Sequence, residues 1–239
     1  MSEPDQAPGA CAVSWSGGKD SMLALLRARA AGAATTVLLT MCDDAGASLA
    51  HALPPALLQA QAAALGVELR AVPVAPGHYA AAFGAALRAL RARGIGRMVF
   101  GDIDLQAHRD WIEAACAAAG VAPWFPLWGE ARASLAREVV ARGIRAHVVC
   151  VDCSRLAPHG CARAYDAAFL DALPSDVCPC GEDGEFHTFV HDAPGFAAPL
   201  PIRMGPVRIV ASQPPLAPTR LALSTPLLDL AAAPPERSR

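Results

Sequence analysis

The chain predicts an α/β protein, a doubly wound parallel sheet joined to a second, smaller α+β lobe. Three observations carry this reading. Up to about residue 151, short β-branched or apolar runs alternate with Ala/Leu-rich segments of helical length, the rhythm of parallel strands linked by crossover helices. The first apolar run opens directly into a Gly-rich turn and then a helix. Beyond residue 151 the rhythm gives way to one short helical stretch, a Gly/Pro/Cys-rich loop and extended segments broken by proline. At 239 residues the length suits one principal domain with a smaller partner, and 54% hydrophobic against 18% charged residues supplies a sizeable core.

Residues 11–15 form the first strand, and 21–31 follow as a helix whose Leu23, Leu26 and Ala30 share one stripe at i, i+3 and i+7. The β-branched run 35–41 is the second strand. Pro54 and Pro55 open the second helix, 55–65, because a missing N–H in the first turn is harmless. Strands at 68–74 and 98–101 alternate with helices at 79–93 and 107–119. The run 124–128 is read as a further strand, 131–142 as a helix, and 146–151 as the last strand of the parallel rhythm. A short helix at 162–173 and an extended segment at 186–190 belong to the second lobe. The division that follows is a nucleotide-binding domain at 1–145, a substrate lobe at 146–230, and a frayed tail at 231–239 that lacks any core pattern.

Charge and composition exclude several classes of function. Twenty Lys+Arg against 22 Asp+Glu leave a net charge of −2, so no nucleic-acid partner is expected. Arg88, Arg91, Arg93 and Arg97 make a basic run on one helix and its exit, but no aromatics interleave and a solvated face is the simpler account. No apolar run approaches the ~20 residues that cross a bilayer, and the start Met1-Ser2-Glu3-Pro4-Asp5 is acidic where a secretory signal is basic and then apolar. A soluble, cytoplasmic protein without membrane partners is expected, with homo-oligomer formation left open. Eight cysteines are too sparse for a disulfide scaffold. Cys150, Cys153, Cys161, Cys178 and Cys180 could supply thiolates to zinc or an iron–sulfur cluster. Cys-x-Cys is not the usual zinc spacing, however, and Cys150 closes an apolar strand, which favours packing.

The chemistry centres on Ser16-Gly17-Gly18-Lys19-Asp20-Ser21, between the first strand and first helix. Paired glycines allow a tight turn that gathers N–H groups into a concavity, and the helix N-terminus adds its positive dipole end, so the motif suits phosphate. Lys19 can neutralise phosphate charge, Ser16 and Ser21 can donate to phosphoryl oxygens, and Asp20 can hold Mg²⁺ or orient the loop. A Walker A loop would need Gly in place of Val13 and Ser or Thr in place of Asp20. Gly101 and Asp102 end the fourth strand, at the sheet edge where open α/β sheets bind ligands, although such an Asp can equally cap the next helix. Arg109 can meet a phosphate or carboxylate bidentately or be an ordinary helix-surface residue. His51 is read as a solvated loop residue. Glu182 and Glu185 lie in a Gly-rich loop expected to be mobile until a ligand arrives, and His187 is either a base or strand filler.

The S-G-G-x-D-S motif resembles the pyrophosphate loop of the PP-loop ATP pyrophosphatase, or adenine nucleotide alpha-hydrolase, superfamily. Further stretches are similar to the diphthine–ammonia ligase family (diphthamide synthase, ATP-binding type): Val99-Phe100-Gly101-Asp102-Ile103, His108-Arg109-Asp110-Trp111, Pro126-Leu127-Trp128, the run from Cys180 to Phe189, and Asp192-Ala193-Pro194. The resemblance spans about residues 11–230. It implies a ligase that uses ATP and Mg²⁺ to adenylylate a carboxylate, which then passes to ammonia or an amine with release of AMP and pyrophosphate. Ser16, Gly17, Gly18, Lys19, Asp20, Ser21, Gly101 and Asp102 would bind ATP. Arg109, Glu182, Glu185, His187 and Thr188 would bind the substrate, and Lys19, Asp20, Glu182 and above all Glu185 would carry the chemistry. Abundant Ala, Arg and Pro fit a bacterial source and a carboxylate other than diphthine. The alternatives are a tRNA-modifying transferase, which should carry a basic extension, and a non-catalytic nucleotide sensor, which would have no use for the 181–188 segment.

Overall fold

The computed structural model describes residues 9–212 and 218–229, and the tail read at 231–239 lies outside them. In chain order the elements are β1 (Ala10–Ser14), α1 (Lys19–Ala30), β2 (Ala34–Cys42), α2 (Pro55–Leu65), β3 (Glu68–Pro73), α3 (Tyr79–Ala92), β4 (Arg97–Val99), α4 (Gln106–Ala119), β5 (Ala122–Trp124), α5 (Arg132–Ala141), β6 (Arg145–Asp152), a 3-10 turn (Pro158–Gly160), α6 (Ala167–Asp171), β7 (Phe186–Asp192), β8 (Ile202–Met204), β9 (Arg208–Ala211), β10 (Arg220–Leu223) and β11 (Pro226–Leu228).

The first five strands form one parallel sheet in the order β3-β2-β1-β4-β5. The chain winds outward from β1 through β2 and β3, then crosses to β4 and β5 on the other side, so the winding reverses between β1 and β4. A crevice opens at such a reversal, outside the carboxyl ends of the strands. Alternation along β1 feeds both faces. Cys11, Val13 and Trp15 join a core with Met22, Leu23 and Leu57, whereas Ala12 joins Phe83, Leu87 and Ile112 on the opposite side. On α3 the buried set is Phe83, Ala86, Leu87 and Leu90, a stripe at i, i+3, i+4 and i+7 that faces the sheet.

Three elements differ from the sequence reading. The run at 146–151 does not extend the parallel sheet. As β6 it pairs antiparallel with β7 and β10 in a separate sheet, β7-β6-β10-β9, because apolar alternation says that a segment is a strand but not which neighbour it takes. The strand read at 124–128 is Ala122–Trp124, and the chain then turns, with the Trp128 amide donating to the Phe125 carbonyl at 3.2 Å. The helix read at 162–173 shrinks to α6. Tyr165 N donates to Ala146 O at 2.8 Å, which holds the preceding residues against β6, and Asp166 then caps the helix by accepting from Phe169 N at 2.8 Å.

The second sheet shares its core with the first. Phe169, Phe186, Phe189 and Val190 pack in one continuous cluster with residues of α1 and α2. A buried polar clamp reinforces the junction: Gln61 Nε2 donates to the carbonyls of Gly17 at 3.0 Å and Val190 at 2.7 Å, while its Oε1 accepts from Trp15 Nε1 at 2.9 Å. Among the described residues no helix is long and apolar enough to cross a membrane.

Candidate active site

The loop from Trp15 to Gly18 carries the chain from β1 into α1, which begins at Lys19, so Lys19, Asp20 and Ser21 form its first turn. Gly18 occupies the N-cap position and has no side chain of its own to cap the helix. The positive end of α1 therefore faces the crevice at the sheet's switch point. Ser16 Oγ accepts from Gly18 N at 3.3 Å and lies 3.2 Å from Ser21 Oγ, which donates to Gly18 O at 2.9 Å. Gly17 has φ +81°. At Gly18 a Cβ would lie 2.6 Å from His51 Cε1, and at Gly101 it would lie 2.9 Å from backbone atoms of Asp20 and Ser21. The glycines thus serve close packing of β4, α1 and the His51 loop against one another, a role that the phosphate motif alone does not reveal.

The segment 178–188 closes over this loop. Lys19 N donates to Thr188 Oγ1 at 3.1 Å. Lys19 Nζ donates to Asp20 Oδ2 at 2.8 Å and to the Cys180 carbonyl, and sits 5.5 Å from the ring centres of Tyr165 and Phe186. Burial, the largest single influence, opposes its charge, but the Asp20 charge, Tyr165, Cys180 and the Asp20 hydrogen bond together hold the ammonium above the ordinary lysine range. Arg132 fastens the outer side, donating to Asp183 Oδ2 at 2.9 Å and to Cys178 Sγ at 3.4 Å. The Gly-rich loop, read as mobile, is therefore tied at several points.

Two cavities meet here. One, of about 410 Å³, lies at the carboxyl ends of β1 and β2 and beside Gly101 and Asp102, with Tyr79 and Phe83 of α3 as an aromatic side. The other, of about 330 Å³, lies between α1 and the 180–188 segment and is lined by Lys19, His51, His187 and Thr188. Asp20, His108 and Glu182 line both. Both volumes suit small-molecule ligands. Burial, and then the nearby Asp20 charge, push the Glu182 carboxyl up to about 7. His187 is pushed down to about 4 by burial, with Lys19 adding to the effect. His51 stacks on His187 with ring centres 4.6 Å apart, and burial, with His187 and Lys19, holds it well below the usual histidine range.

Of the residues singled out in the sequence, Ser16, Asp20, Ser21, Gly101 and Asp102 line the first cavity, and Lys19, Asp20, Glu182, His187 and Thr188 line the second. Gly17 and Gly18 form the turn behind them. Glu185, the expected principal catalytic group, is a correction: it is fully buried and lines neither cavity, and its two oxygens accept from Cys178 N at 2.8 Å and Asp183 N at 3.0 Å. It shapes the loop whose half-buried Glu182 carboxyl lines both cavities. Arg109 is also corrected. Its guanidinium bonds Glu113 one turn along the helix at 2.7 Å and lies over the Phe125 and Trp128 rings, outside both cavities. Lys19 is inward-held rather than projecting into solvent, with 3% exposure. His51, read as solvated, has a buried Nδ1.

Two residues the sequence reading left aside belong to the site. Gln61 could have been found as the lone polar residue on the apolar face Leu57, Leu58, Ala62 and Leu65. His108 is three residues from Trp111 in a quoted motif, but only the folded chain brings it to the junction. Among the described residues, the ligand-type set close enough for an ion is Cys178, Asp183 and Glu185, within 4.8 Å. Glu185 is already committed to two amides, and Arg132 occupies the other two. In the basic run, Arg93 pairs with Glu68 and Arg97 lies over Trp124.

Comparison with known proteins finds a family similarity in the N-terminal part of the chain. Residues 9–123 match the family described as diphthamide synthase N-terminal domain. No curated protein sequence matches the chain. A solved structure described as a predicted subunit of tRNA methyltransferase from Methanocaldococcus jannaschii aligns with 77% of this chain and 98% of its own length, at 15% identity and a TM-score of 0.45. The matched region takes in β1 to β4, the Ser16–Ser21 loop and His108 and ends within β5, so the N-terminal part of the chain is similar to the diphthamide synthase N-terminal domain.

Proposed function

We propose that the chain is an ATP-dependent ligase that adenylylates a carboxylate and transfers the acyl group to ammonia or an amine, with release of AMP and pyrophosphate. The observation that carries this reading is the junction of the two cavities at Asp20, His108 and Glu182, beside the N-terminus of α1. A nucleotide laid along the first cavity brings its phosphates to that helix end, and a second substrate in the other cavity approaches across the shared wall. A carboxylate is a poor acyl donor until its oxygen becomes part of a good leaving group, and adenylylation provides one.

In this reading the adenine lies against the carboxyl ends of β1, β2 and β4, near Tyr79 and Phe83. Ser16, Ser21 and the α1 amides receive the phosphates, and the lobe from residue 146 presents the carboxylate. Asp20, a quarter exposed at the junction, fits Mg²⁺, an ion that favours one or two carboxylates plus phosphate oxygens and would offset phosphate charge. Glu182, not Glu185, is the carboxyl placed to take a proton from an attacking nitrogen, and its raised proton affinity suits that task near neutral pH.

The test is ATP-dependent pyrophosphate exchange across a panel of small carboxylates, followed by product analysis with ammonia or simple amines. AMP, pyrophosphate and an amide are expected. ADP and orthophosphate would remove the adenylylation reading.

A further inference from the structure

We propose that His108, oriented by Asp102, is the side-chain cation that receives the nucleotide's phosphates at the junction of the two cavities. The proposal rests on the nucleotide reading above and adds a group to it. It starts from a shortage of positive charge. Asp20, Asp102 and Glu182 place three carboxyls around the first cavity, while no arginine among the described residues lines either cavity. The two nearest candidates are committed elsewhere: Arg109 to Glu113 and the Trp128 ring, and Arg132 to Asp104 and Asp183. Lys19, the cation expected from the motif, spends donors on Asp20 and the Cys180 carbonyl. A bound triphosphate would meet an acidic wall unless another cation stood there.

His108 is built for that place. It lines both cavities. Its Nδ1 is paired with Asp102 Oδ1, and its ring lies nearly parallel to Trp111, at 7° with centres 6.3 Å apart. These contacts fix the ring plane and leave Nε2, on the opposite edge, for a ligand. The side chain is half exposed, so that edge is reachable. Asp102 from the β4–α4 connection, Glu182 from the 178–188 segment and Asp20 from α1 face it as acids, with Lys19 the nearby base. The Asp102 hydrogen bond holds the imidazole above its ordinary pKa against burial, and the charges of Asp102 and Glu182 add to this. The same carboxylate that orients the ring thus favours the form with a proton on Nε2 as well as Nδ1.

The test uses the full chain with ATP and Mg²⁺, pyrophosphate alone, and adenosine. NMR of the imidazole nitrogens, with His108 assigned from the spectrum of His108→Gln, should show the His108 pKa rising by about one unit when ATP or pyrophosphate is added, and not with adenosine. By calorimetry His108→Gln should weaken ATP about tenfold or more, the scale of a lost charge-assisted bond, with adenosine unaffected. Asp102→Asn should give a smaller loss. An unmoved His108 pKa, ATP affinity retained by His108→Gln, or equal loss of ATP and adenosine would each overturn the proposal. If His108→Gln does not fold, pyrophosphate titration of the native protein decides alone, with the ring assigned from Asp102→Asn. A native protein that binds adenosine and ATP not at all overturns the nucleotide reading, and this proposal with it.

Discussion

Gln61 Nε2 donates to the Val190 carbonyl at 2.7 Å, across the boundary between the parallel sheet's helices and the second sheet. The same carboxamide bonds Gly17 and Trp15, and Val190 N donates to Gly17 O at 3.0 Å beside it, so Gln61 braces the direct contact between the phosphate-type loop and β7. Gln61→Leu keeps the volume but takes a partner from the Val190 carbonyl and the Trp15 indole N–H, while the Gly17 carbonyl keeps the Val190 amide. It should destabilise the protein by roughly 2–4 kcal/mol in denaturant unfolding. A variant as stable as the native chain would show that the clamp is incidental.

Glu185→Gln separates a shaping role from a catalytic one. The carboxylate accepts two amides with no exposure, and glutamine can accept only one of them while setting its NH₂ against the other. The 178–188 segment should loosen by roughly 1–3 kcal/mol, seen as faster amide exchange at Cys178 and Asp183. Unchanged exchange in that segment would remove the shaping role.

Glu182 sets a pH dependence whose sign can be worked out. Its carboxyl is raised to about 7 in the folded state, against about 4.3 in an unfolded chain. Between those values the folded chain holds a proton that the unfolded chain has lost, so stability falls as pH rises through this window. Glu182→Gln removes that fall and should gain on the native chain by on the order of 2 kcal/mol between pH 5 and pH 8. Parallel stability curves for the two proteins would contradict the raised affinity.

Gly101→Ala should damage the site more than its size suggests. The added Cβ would lie 2.9 Å from backbone atoms of Asp20 and Ser21, and neither can move without shifting the first turn of α1. ATP affinity should drop at least tenfold with only a modest loss of stability, on the order of 1–3 kcal/mol. An alanine variant that binds ATP normally would mean that the first turn of α1 does not position the phosphates.

Hydrophobic periodicity alone determined the α/β class, the five strands near their observed places and the loop at the end of β1, because these depend on local alternation and on turn residues next to each other in sequence. The 181–188 segment was singled out by its family resemblance, which periodicity does not supply. What periodicity cannot carry is the neighbour. The strand at 146–151 was legible as a strand, yet only folding assigned it to an antiparallel partner, β7, in another sheet. Likewise two glutamates three residues apart in one loop are equivalent in the sequence. Tertiary contacts turned Glu185 inward onto the Cys178 and Asp183 amides and left Glu182 at the cavity wall. Lys19 turned inward for the same reason: where a charged group ends up depends on which carbonyls and carboxylates the distant parts of the chain bring to it, and the Cys180 carbonyl is 161 residues from Lys19 in sequence.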